Sequence, residues 1–287
     1  MNSELLSPAG DFTTALSAFA AGADAVYCGL SEFSARAFAP NLSYEELANL
    51  LSYAHAPTPA HPSPLTLSPS HPRRVYVTFN TLIDEDQLEG AVEALAKLEE
   101  LGPDGVIVQD LGVAKLVREH FPKLELHAST QLVAHNLEGV LALKELGFRR
   151  VVLARELSLA EITTIAQRCG ARKLAADGRP ELELEVFIHG ALCYSISGLC
   201  LYGALEKGRS GNRGTCPYCC RQRMKGRGKK EGSAEGFCCP FSMKDLRLGE
   251  DARKLVEAGV TSLKIEGRMK SPLYVASVTR YYRDILD

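Results

Sequence analysis

Short runs of apolar and β-branched residues alternate with amphipathic stretches along most of the chain. Residues 74–80 have the length and composition of a buried strand, whereas residues 84–101 repeat apolar positions at the spacing of one helix face. Ser43 and Glu46 form a capping box, which marks the start of another helix. The strands predicted in this way cover residues 4–7, 25–30, 74–80, 105–109, 124–129, 150–154, 182–188 and 262–265. The helices predicted between and after them cover residues 11–21, 43–55, 84–101, 111–119, 136–146, 158–168 and 274–286.

Strands that alternate with helices in this way predict a parallel α/β fold. Eight such units within about 250 residues is the count of a (β/α)8 TIM barrel. A doubly wound open sheet is the alternative, because periodicity does not show whether a sheet closes. Nucleotide-binding open sheets lose support, because no Gly-x-Gly-x-x-Gly follows the first strand and no Walker lysine loop is found. We therefore predict a single barrel domain over residues 1–287.

Two segments interrupt the alternation. Residues 56–72 are rich in Pro, His, Ser and Thr, which predicts a surface loop. Residues 193–241 lie between the seventh and eighth strands and contain cysteines, glycines and a basic run. In a barrel, the loop after the seventh strand opens onto the carboxyl-terminal face, where barrel enzymes carry their chemistry.

Composition and charge limit the classes of function. The chain has 33 Lys and Arg residues against 35 Asp and Glu, a net charge of −2, so any contact with nucleic acid requires a local basic patch. No apolar run approaches the roughly 20 residues that span a bilayer, and the amino terminus lacks a secretory pattern. We expect a cytoplasmic protein without a membrane partner. Seven of the nine cysteines lie between Cys193 and Cys239, and reduced cytosolic thiols favour metal or redox chemistry over disulfides.

The cysteine spacing is the strongest chemical signal. Four thiolates from one loop can hold a tetrahedral Zn²⁺ ion or an iron–sulfur cluster. Structural zinc sites usually present pairs two to four residues apart, and Cys193 and Cys200 are spaced more widely. The spacing therefore favours iron–sulfur over zinc and leaves both open. Cys28 and Cys169 are isolated in strand and helix contexts, which is typical of cysteines packed as small apolar residues.

The segment EVFIHGALCYSISGLC at residues 185–200 closely resembles the signature of the peptidase U-32 family, also called collagenase-like peptidases. Further matches are LLSPAGD at 5–11, GADAVY at 22–27, FSAR at 33–36, RSGNRG at 209–214 and SLKIEGR at 262–268. The resemblance implies iron–sulfur proteins that hydroxylate RNA bases or quinone precursors without O2, with prephenate implicated in supplying the hydroxyl. Residues 208–221 look most like the members that modify ribosomal RNA; other members modify the wobble uridine of tRNA.

The resemblance also implies a set of ligands. A [4Fe–4S] cluster would be held by Cys193, Cys200, Cys216 and Cys220. In relatives from quinone pathways the fourth ligand lies further along the chain, so Cys239 or Cys238 competes with Cys220 for that position.

A dense basic stretch adjoins the cysteines and suits RNA phosphates, with a solvated loop as the alternative. The residues proposed to bind RNA are Arg209, Arg213, Arg221 and Arg223, and the run continues through Lys225, Arg227, Lys229 and Lys230.

Polar residues at strand ends supply the remaining candidates. Lys264 and Glu266 project to one face by the period-two rule, and Arg268 could bind a small carboxylate such as prephenate in a bidentate manner. An ion-paired rim is the alternative for these three. His189 is a candidate acid, base or donor to a cluster sulfur, with a structural histidine as the alternative. The other strand-end candidates are Asn80, Gln131, His127, Ser129, Gln109, Asp110 and Arg155.

Three functions follow as hypotheses. The first is an oxygen-independent RNA-hydroxylating enzyme that uses an electron donor protein. The second is a peptidase, although the chain lacks a His-Glu-x-x-His zinc motif and a Gly-x-Ser-x-Gly elbow. The third is a zinc-stabilised module that binds RNA without catalysis.

Overall fold

The computed structural model describes residues 3–56, 73–171, 173–176, 178–225 and 237–287. The strands are β1 Glu4–Pro8, β2 Ala25–Gly29, β3 Arg74–Phe79, β4 Gly105–Val108, β5 Leu126–Ala128, β6 Arg150–Val152, β7 Glu183–Gly190, β8 Met224–Lys225, β9 Phe237–Cys238, β10 Leu246–Arg247 and β11 Ser262–Ile265. The α-helices are α1 Phe12–Ala20, α2 Tyr44–His55, α3 Leu88–Leu101, α4 Leu111–His120, α5 Leu137–Glu145, α6 Leu159–Arg168, α7 Tyr202–Lys207, α8 Ala252–Ala258 and α9 Pro272–Leu286.

Parallel strands close into a barrel. The hydrogen-bonded order is β7, β11, β1, β2, β3, β4, β5 and β6, and β6 pairs again with β7. This closure confirms the TIM-barrel prediction, and the open-sheet alternative is wrong. A surface loop was predicted at residues 56–72, and residues 57–72 of it lie outside the described residues. Within the described ranges, no helix has both the length and the apolar content needed to cross a bilayer.

The helices begin where the sequence signals predict. Asp11 caps α1 by accepting a 2.7 Å hydrogen bond from the Thr14 amide. Capping boxes start α2 at Ser43 and α6 at Ser158. Each cap satisfies amides that have no partner within the helix, so the local sequence fixes the point at which each helix leaves its loop.

The main apolar core lies between the barrel and its helices, and the amino-terminal end of the barrel interior is filled by charges. Arg150, at the start of β6, is 1% exposed and pairs with Glu4 at 2.7 Å, Glu183 at 2.6 Å and Glu185 at 3.2 Å. Its guanidinium also lies 4.7 Å from the centroid of the Tyr76 ring. A buried charge is tolerated only when it is paired and hydrogen-bonded, and this network meets that requirement.

Two features between β7 and β11 were not predicted. Helix α8 is short but carries buried Ala252, Leu255 and Ala258, and Gly259 ends it in the left-handed region. The second feature is a β-bulge in β7. Lys264 pairs with Phe187 and Ile265 pairs with His189, so Ile188 is the extra residue.

Candidate active site

A cavity of about 940 Å³ opens at the carboxyl ends of the barrel strands. Strand ends and the loops after them form one side, and the cysteine-containing segment after β7 forms the other. The volume lies within the range typical of small-molecule sites. Of the residues proposed from the sequence, the cavity wall includes Asn80, Ser129, Gln131, Arg155, Cys193, Cys200, Cys216, Cys220, Arg221, Lys264, Glu266 and Arg268.

An ion pair between Arg36 and Glu266 crosses the cavity, with 3.0 Å between Nη2 and Oε1. Burial raises the pKa of Glu266, but the positive charges of Arg36 and Arg155 outweigh burial and bring that pKa down to about 2. Tyr27 supports the same carboxylate with a 3.2 Å hydrogen bond from its hydroxyl to Oε2. Arg36 therefore belongs to the site although it was not proposed as a site residue, and the FSAR segment at 33–36 was its only signal.

Arg268 is buried and is held by neutral groups. Its Nη1 donates to the hydroxyls of Ser34 at 2.7 Å and Thr78 at 2.8 Å. Burial and the nearby charge of Arg36 lower the pKa of Arg268. Within the described ranges, no carboxylate forms an ion pair with this guanidinium, so its charge remains available to a bound anion.

Arg155 is another buried cation of the wall that forms no ion pair with a described carboxylate. Its guanidinium carbon lies 4.3 Å from the centroid of the Phe187 ring, and its Nε is buried without a hydrogen bond there. Burial lowers the pKa of Arg155, and Glu266 opposes this effect through its charge. The described wall thus presents the guanidinium groups of Arg36, Arg155, Arg221 and Arg268 against the carboxylates of Asp245 and Glu266, an excess of positive charge that favours a bound anion.

Lys264 is a further buried cation of the cavity wall. Its Nζ lies 2.7 Å from Oε1 of Glu185 and 4.3 Å from the centroid of the Tyr27 ring. Burial lowers the pKa of Lys264, while the charge of Glu185 opposes that shift. The period-two prediction for Lys264 and Glu266 is correct in geometry, since both side chains line the cavity.

A neutral polar wall follows β3 and β5. Nδ2 of Asn80 lies 3.4 Å from Oε1 of Gln131, and the Ser129 hydroxyl donates to the same oxygen at 3.3 Å. The Asn80 side-chain oxygen accepts the amide of Ala35 at 3.0 Å. These contacts orient both amides, which can donate to and accept from the edge of a planar ring.

The four proposed ligands, Cys193, Cys200, Cys216 and Cys220, all line the cavity as free thiols. Burial raises the pKa of Cys220, and Cys193 and Cys216 raise it further. Among the described residues, no three His, Cys, Asp or Glu side chains converge on a point that would hold a single metal ion. All four donors are thiols, the donor type that both iron–sulfur clusters and structural zinc sites use.

Local contacts hold this segment in place. The Cys200 amide donates to Oδ1 of Asn212 at 3.2 Å, and the Leu82 amide donates to the Asn212 carbonyl at 2.9 Å. Gly211 packs against Cys216: a Cβ built on the glycine would lie at an ordinary contact distance of 3.4 Å from the Cys216 Cβ. The competing ligand Cys239 is exposed, and neither it nor Cys238 is among the residues that line the cavity.

The structure does not bring His189 to the cavity. The bulge at Ile188 interrupts the alternation of β7, so the His189 side chain points outward with Ile265, which packs in the apolar core. Its Nδ1 lies 3.3 Å from the Tyr282 hydroxyl of α9, and burial lowers the pKa of His189. This geometry corrects the proposal of an acid, a base or a donor to a cluster sulfur and matches the structural alternative.

Three other strand-end candidates also lie outside the cavity wall. His127 is buried and lies 3.0 Å from Glu125. Asp110 caps α4 by accepting the Val113 amide at 3.0 Å. Gln109 is buried and does not line the cavity. Cys28 and Cys169 are buried, as expected for apolar packing.

The proposed RNA contacts divide into two groups. Arg213 pairs with Asp84, and Arg221 donates to the Leu192 carbonyl at 2.7 Å, so both contribute to the fold. Arg209 and Arg223 are exposed, and Arg209 lies 4.6 Å from the centroid of the Phe38 ring. Arg227, Lys229, Lys230 and the side chain of Lys225 lie outside what the structure describes.

Comparison with known proteins identifies the family. A family model described as peptidase family U32 matches residues 10–287. The chain belongs to peptidase family U32. Relatives of this U32 chain include a 23S rRNA 5-hydroxycytidine synthase of Escherichia coli, which is 39% identical over 99% of the chain. A tRNA hydroxylation protein P of Helicobacter pylori is 37% identical, and a collagenase of Porphyromonas gingivalis is 30% identical, each over 99% of the chain.

The U32 chain spans only part of these relatives: 39% of the E. coli synthase, 64% of the H. pylori protein and 65% of the collagenase. A solved structure of a U32 peptidase superimposes with a TM-score of 0.56 at 12% identity, covering 92% of this chain and 93% of that one. At that identity the superposition supports the barrel fold alone.

Proposed function

We propose that this U32 chain is an enzyme that hydroxylates a base of a ribosomal or transfer RNA without O2. The proposal includes a [4Fe–4S] cluster at the cysteines and a prephenate-like carboxylate as the source of the hydroxyl. The observation that carries it is that four cysteines and the guanidinium groups of Arg155 and Arg268 line the same cavity. Two relatives named for rRNA and tRNA hydroxylation support RNA as the substrate.

The cysteines would hold the cluster through Cys193, Cys200, Cys216 and Cys220. When bound, an iron–sulfur cluster would supply an electron-transfer centre beside the reacting base. Cys220 is the better fourth ligand than Cys239, because its thiol shares the cavity with the other three. An electron donor protein is part of the proposal, since an electron-transfer centre has to be reset between turnovers.

Arg155 and Arg268 would hold the small carboxylate. Arg36 is neutralised by Glu266 at 3.0 Å, whereas the other two guanidinium groups have no acidic partner among the described residues. A guanidinium binds a carboxylate through two parallel hydrogen bonds, and two such groups suit a molecule with two carboxylates. Prephenate has that chemistry.

The RNA base would lie against Asn80 and Gln131. Their amides offer both donors and acceptors, which match the polar edge of a pyrimidine. A base that reaches a cavity at the end of a barrel has to leave its stack, so an unpaired or extruded nucleotide is the expected substrate. Arg209 and Arg223 remain exposed outside the cavity and would contact phosphates.

The decisive experiment is mass spectrometry of ribosomal and transfer RNA nucleosides from a strain that lacks the gene. We expect one 5-hydroxypyrimidine to disappear, to return with the wild-type gene, and to stay absent with Cys193→Ala or Cys200→Ala. Cys169→Ala is the matched control, because this cysteine is buried away from the cavity and should restore the modification. Unchanged hydroxynucleosides in the deletion strain would overturn the RNA substrate.

Metal analysis separates the zinc alternative. Protein purified without O2 should be brown, with broad visible absorption and about four irons per chain. A colourless protein with one zinc per chain would favour the RNA-binding module instead.

The collagenase relative is the observation that favours a peptidase. No histidine is among the described residues that line the cavity, so a cysteine–histidine pair there has no support. Peptide hydrolysis that survives Cys193→Ala and Cys200→Ala would favour this second function.

A further inference from the structure

The loop between Cys193 and Cys200 keeps its large apolar side chains mostly exposed, although the Tyr194 ring contacts Phe241 with centroids 4.9 Å apart. Tyr194 is 56% exposed and Ile196 is 60% exposed, although both are large apolar side chains. Between them and Cys200, Ser197 is fully buried, at 0% exposure. A loop whose apolar side chains face outward has to be held by another interaction, and Ser197 is the place to look for it.

Ser197 is clamped by a single carboxylate. Its amide donates to Oε1 of Glu156 at 2.7 Å, and its hydroxyl donates to Oε2 of the same residue at 2.6 Å. The hydroxyl oxygen also accepts the backbone amide of Arg155 at 3.1 Å. Three hydrogen bonds therefore join the centre of the cysteine loop to the turn after β6.

The backbone conformation adds an independent observation. Ser197 has φ 44° and ψ 30°, in the left-handed region that side chains with a Cβ rarely adopt. Glycine would adopt this conformation without strain but would lack the hydroxyl that Glu156 binds. A serine at a strained position indicates that the hydroxyl bond matters to this loop.

The clamp also reaches the anion-binding side of the cavity. Arg155 contributes its amide to the clamp, and its guanidinium lines the cavity next to Glu266. The turn at Ser197 packs on the turn that follows β5, where a Cβ on Gly198 would lie 3.4 Å from Cγ of Gln131. One carboxylate thus fixes the cysteine loop relative to both polar walls.

We propose that Glu156 is a positioning residue that holds Cys193 and Cys200 at the cavity through Ser197. The proposal rests on the proposed function for what the cysteines bind, and on the three hydrogen bonds for how they are held. Glu156 does not line the cavity, so it acts on the thiols only through the loop.

The charge state of the clamp is defined by its partners. Partial burial raises the pKa of Glu156, but the two hydrogen bonds from Ser197 and the nearby His135 bring it below its ordinary value. The His135 Nε2 lies 3.5 Å from Oε2. Glu156 is therefore ionised at neutral pH and can accept from both donors.

The test compares Glu156→Gln and Glu156→Ala with the same changes at Glu161. Glu161 accepts the same two groups from a serine: its Oε2 accepts the Ser158 amide at 2.8 Å and the Ser158 hydroxyl at 2.6 Å, but it caps α6 and does not touch the cysteine loop. After anaerobic iron loading, the Glu156 variants should lose visible absorption to a chelator on the order of 10-fold faster than wild type. Their electron paramagnetic resonance spectra should also change, and the Glu161 variants should match wild type.

A second measurement needs no iron. In metal-free protein, mass spectrometry after brief alkylation should show faster modification of Cys193 and Cys200 in Glu156→Ala than in Glu161→Ala. Cys28 and Cys169 are buried internal references whose modification should stay low in folded protein. If Glu156→Ala does not fold, Ser197→Gly removes the hydroxyl while relieving the backbone strain, and it should show the same alkylation pattern.

The outcomes distinguish the two proposals. Wild-type protein that takes up no iron would contradict the cluster of the proposed function, while the alkylation comparison would still test the clamp. Glu156 variants that match wild type in chelator loss and in alkylation would overturn the clamp, whatever the cysteines bind.

Discussion

Gly29 and Arg268 lie so close together that the glycine has no room for a side chain. A Cβ built on Gly29 would be 2.4 Å from Nη1 of Arg268 and 2.5 Å from the Ser34 hydroxyl. Contacts under 3.0 Å require something to move, and the atoms in question are the guanidinium and the hydroxyl that holds it. The end of β2 therefore sets the position of the cation proposed to bind a carboxylate.

We predict that Gly29→Ala weakens binding of prephenate on the order of 10- to 100-fold, because the methyl group displaces Arg268 from its hydroxyl partners. Isothermal titration calorimetry with prephenate measures this directly. Gly90→Ala is the control, since a Cβ in that helix would meet only Cζ of Phe33 at an ordinary 3.8 Å. Equal affinities for folded Gly29→Ala and wild type would contradict the assignment of Arg268.

Arg150 should contribute strongly to the stability of the fold. Replacing it with Met leaves the buried carboxylates of Glu4, Glu183 and Glu185 without their common partner, and we expect a loss of about 3–5 kcal/mol in the free energy of unfolding. Urea denaturation provides the measurement. Arg280→Met removes an exposed pair with Asp284 and should cost less than about 1 kcal/mol. Similar costs for the two variants would show that the barrel network is not stabilising in the way described.

Acid should destabilise the fold through Glu266. Its pKa is about 2 in the folded protein against about 4.3 in an unfolded chain, so its stabilising contribution is complete above the unfolded value. That contribution, about 3 kcal/mol, is lost as the pH falls from about 4.3 towards 2. Urea denaturation from pH 7 to pH 3 should show a shallower acid loss for Glu266→Gln, from a lower stability at pH 7. Parallel curves for the two proteins would contradict the ion pair with Arg36.

His189→Phe should retain activity. The ring lies against Tyr282 and Tyr274 rather than at the cavity, and phenylalanine preserves that packing. A gene with this change should restore the hydroxynucleoside of a deletion strain to near the wild-type level. Loss of the modification in a stable His189→Phe protein would revive the acid–base proposal that the bulge argues against.

Local signals in the sequence predicted most of the barrel. Strand-like and helix-like periods, with the capping box at Ser43, located the repeating units close to their observed bounds. Closure itself rests on the pairing of β6 with β7, which no local pattern encodes. Only the count of units favoured it.

The site was predicted in part. Parallel strands end at the same face, so Asn80, Gln131 and Lys264 could be grouped from the sequence, and the cysteines could be grouped by their spacing. The position of His189 depends on one inserted residue, which reverses the direction of a side chain that alternation assigns inward. The hydrogen bond between Ser197 and Glu156 joins residues 41 positions apart, and neither residue type nor spacing predicts it.

The charged network around Arg150 has a consequence for the order of events at the other end of the barrel. Because these side chains fill the strand-enclosed interior of the described chain, the cavity is reached from the face that carries the cysteines. Under the proposed function, a small carboxylic acid that binds Arg155 and Arg268 would have to enter before a nucleotide blocks the opening of the cavity. The product formed from that acid could leave only after the modified RNA has dissociated, so binding and release would follow a fixed order.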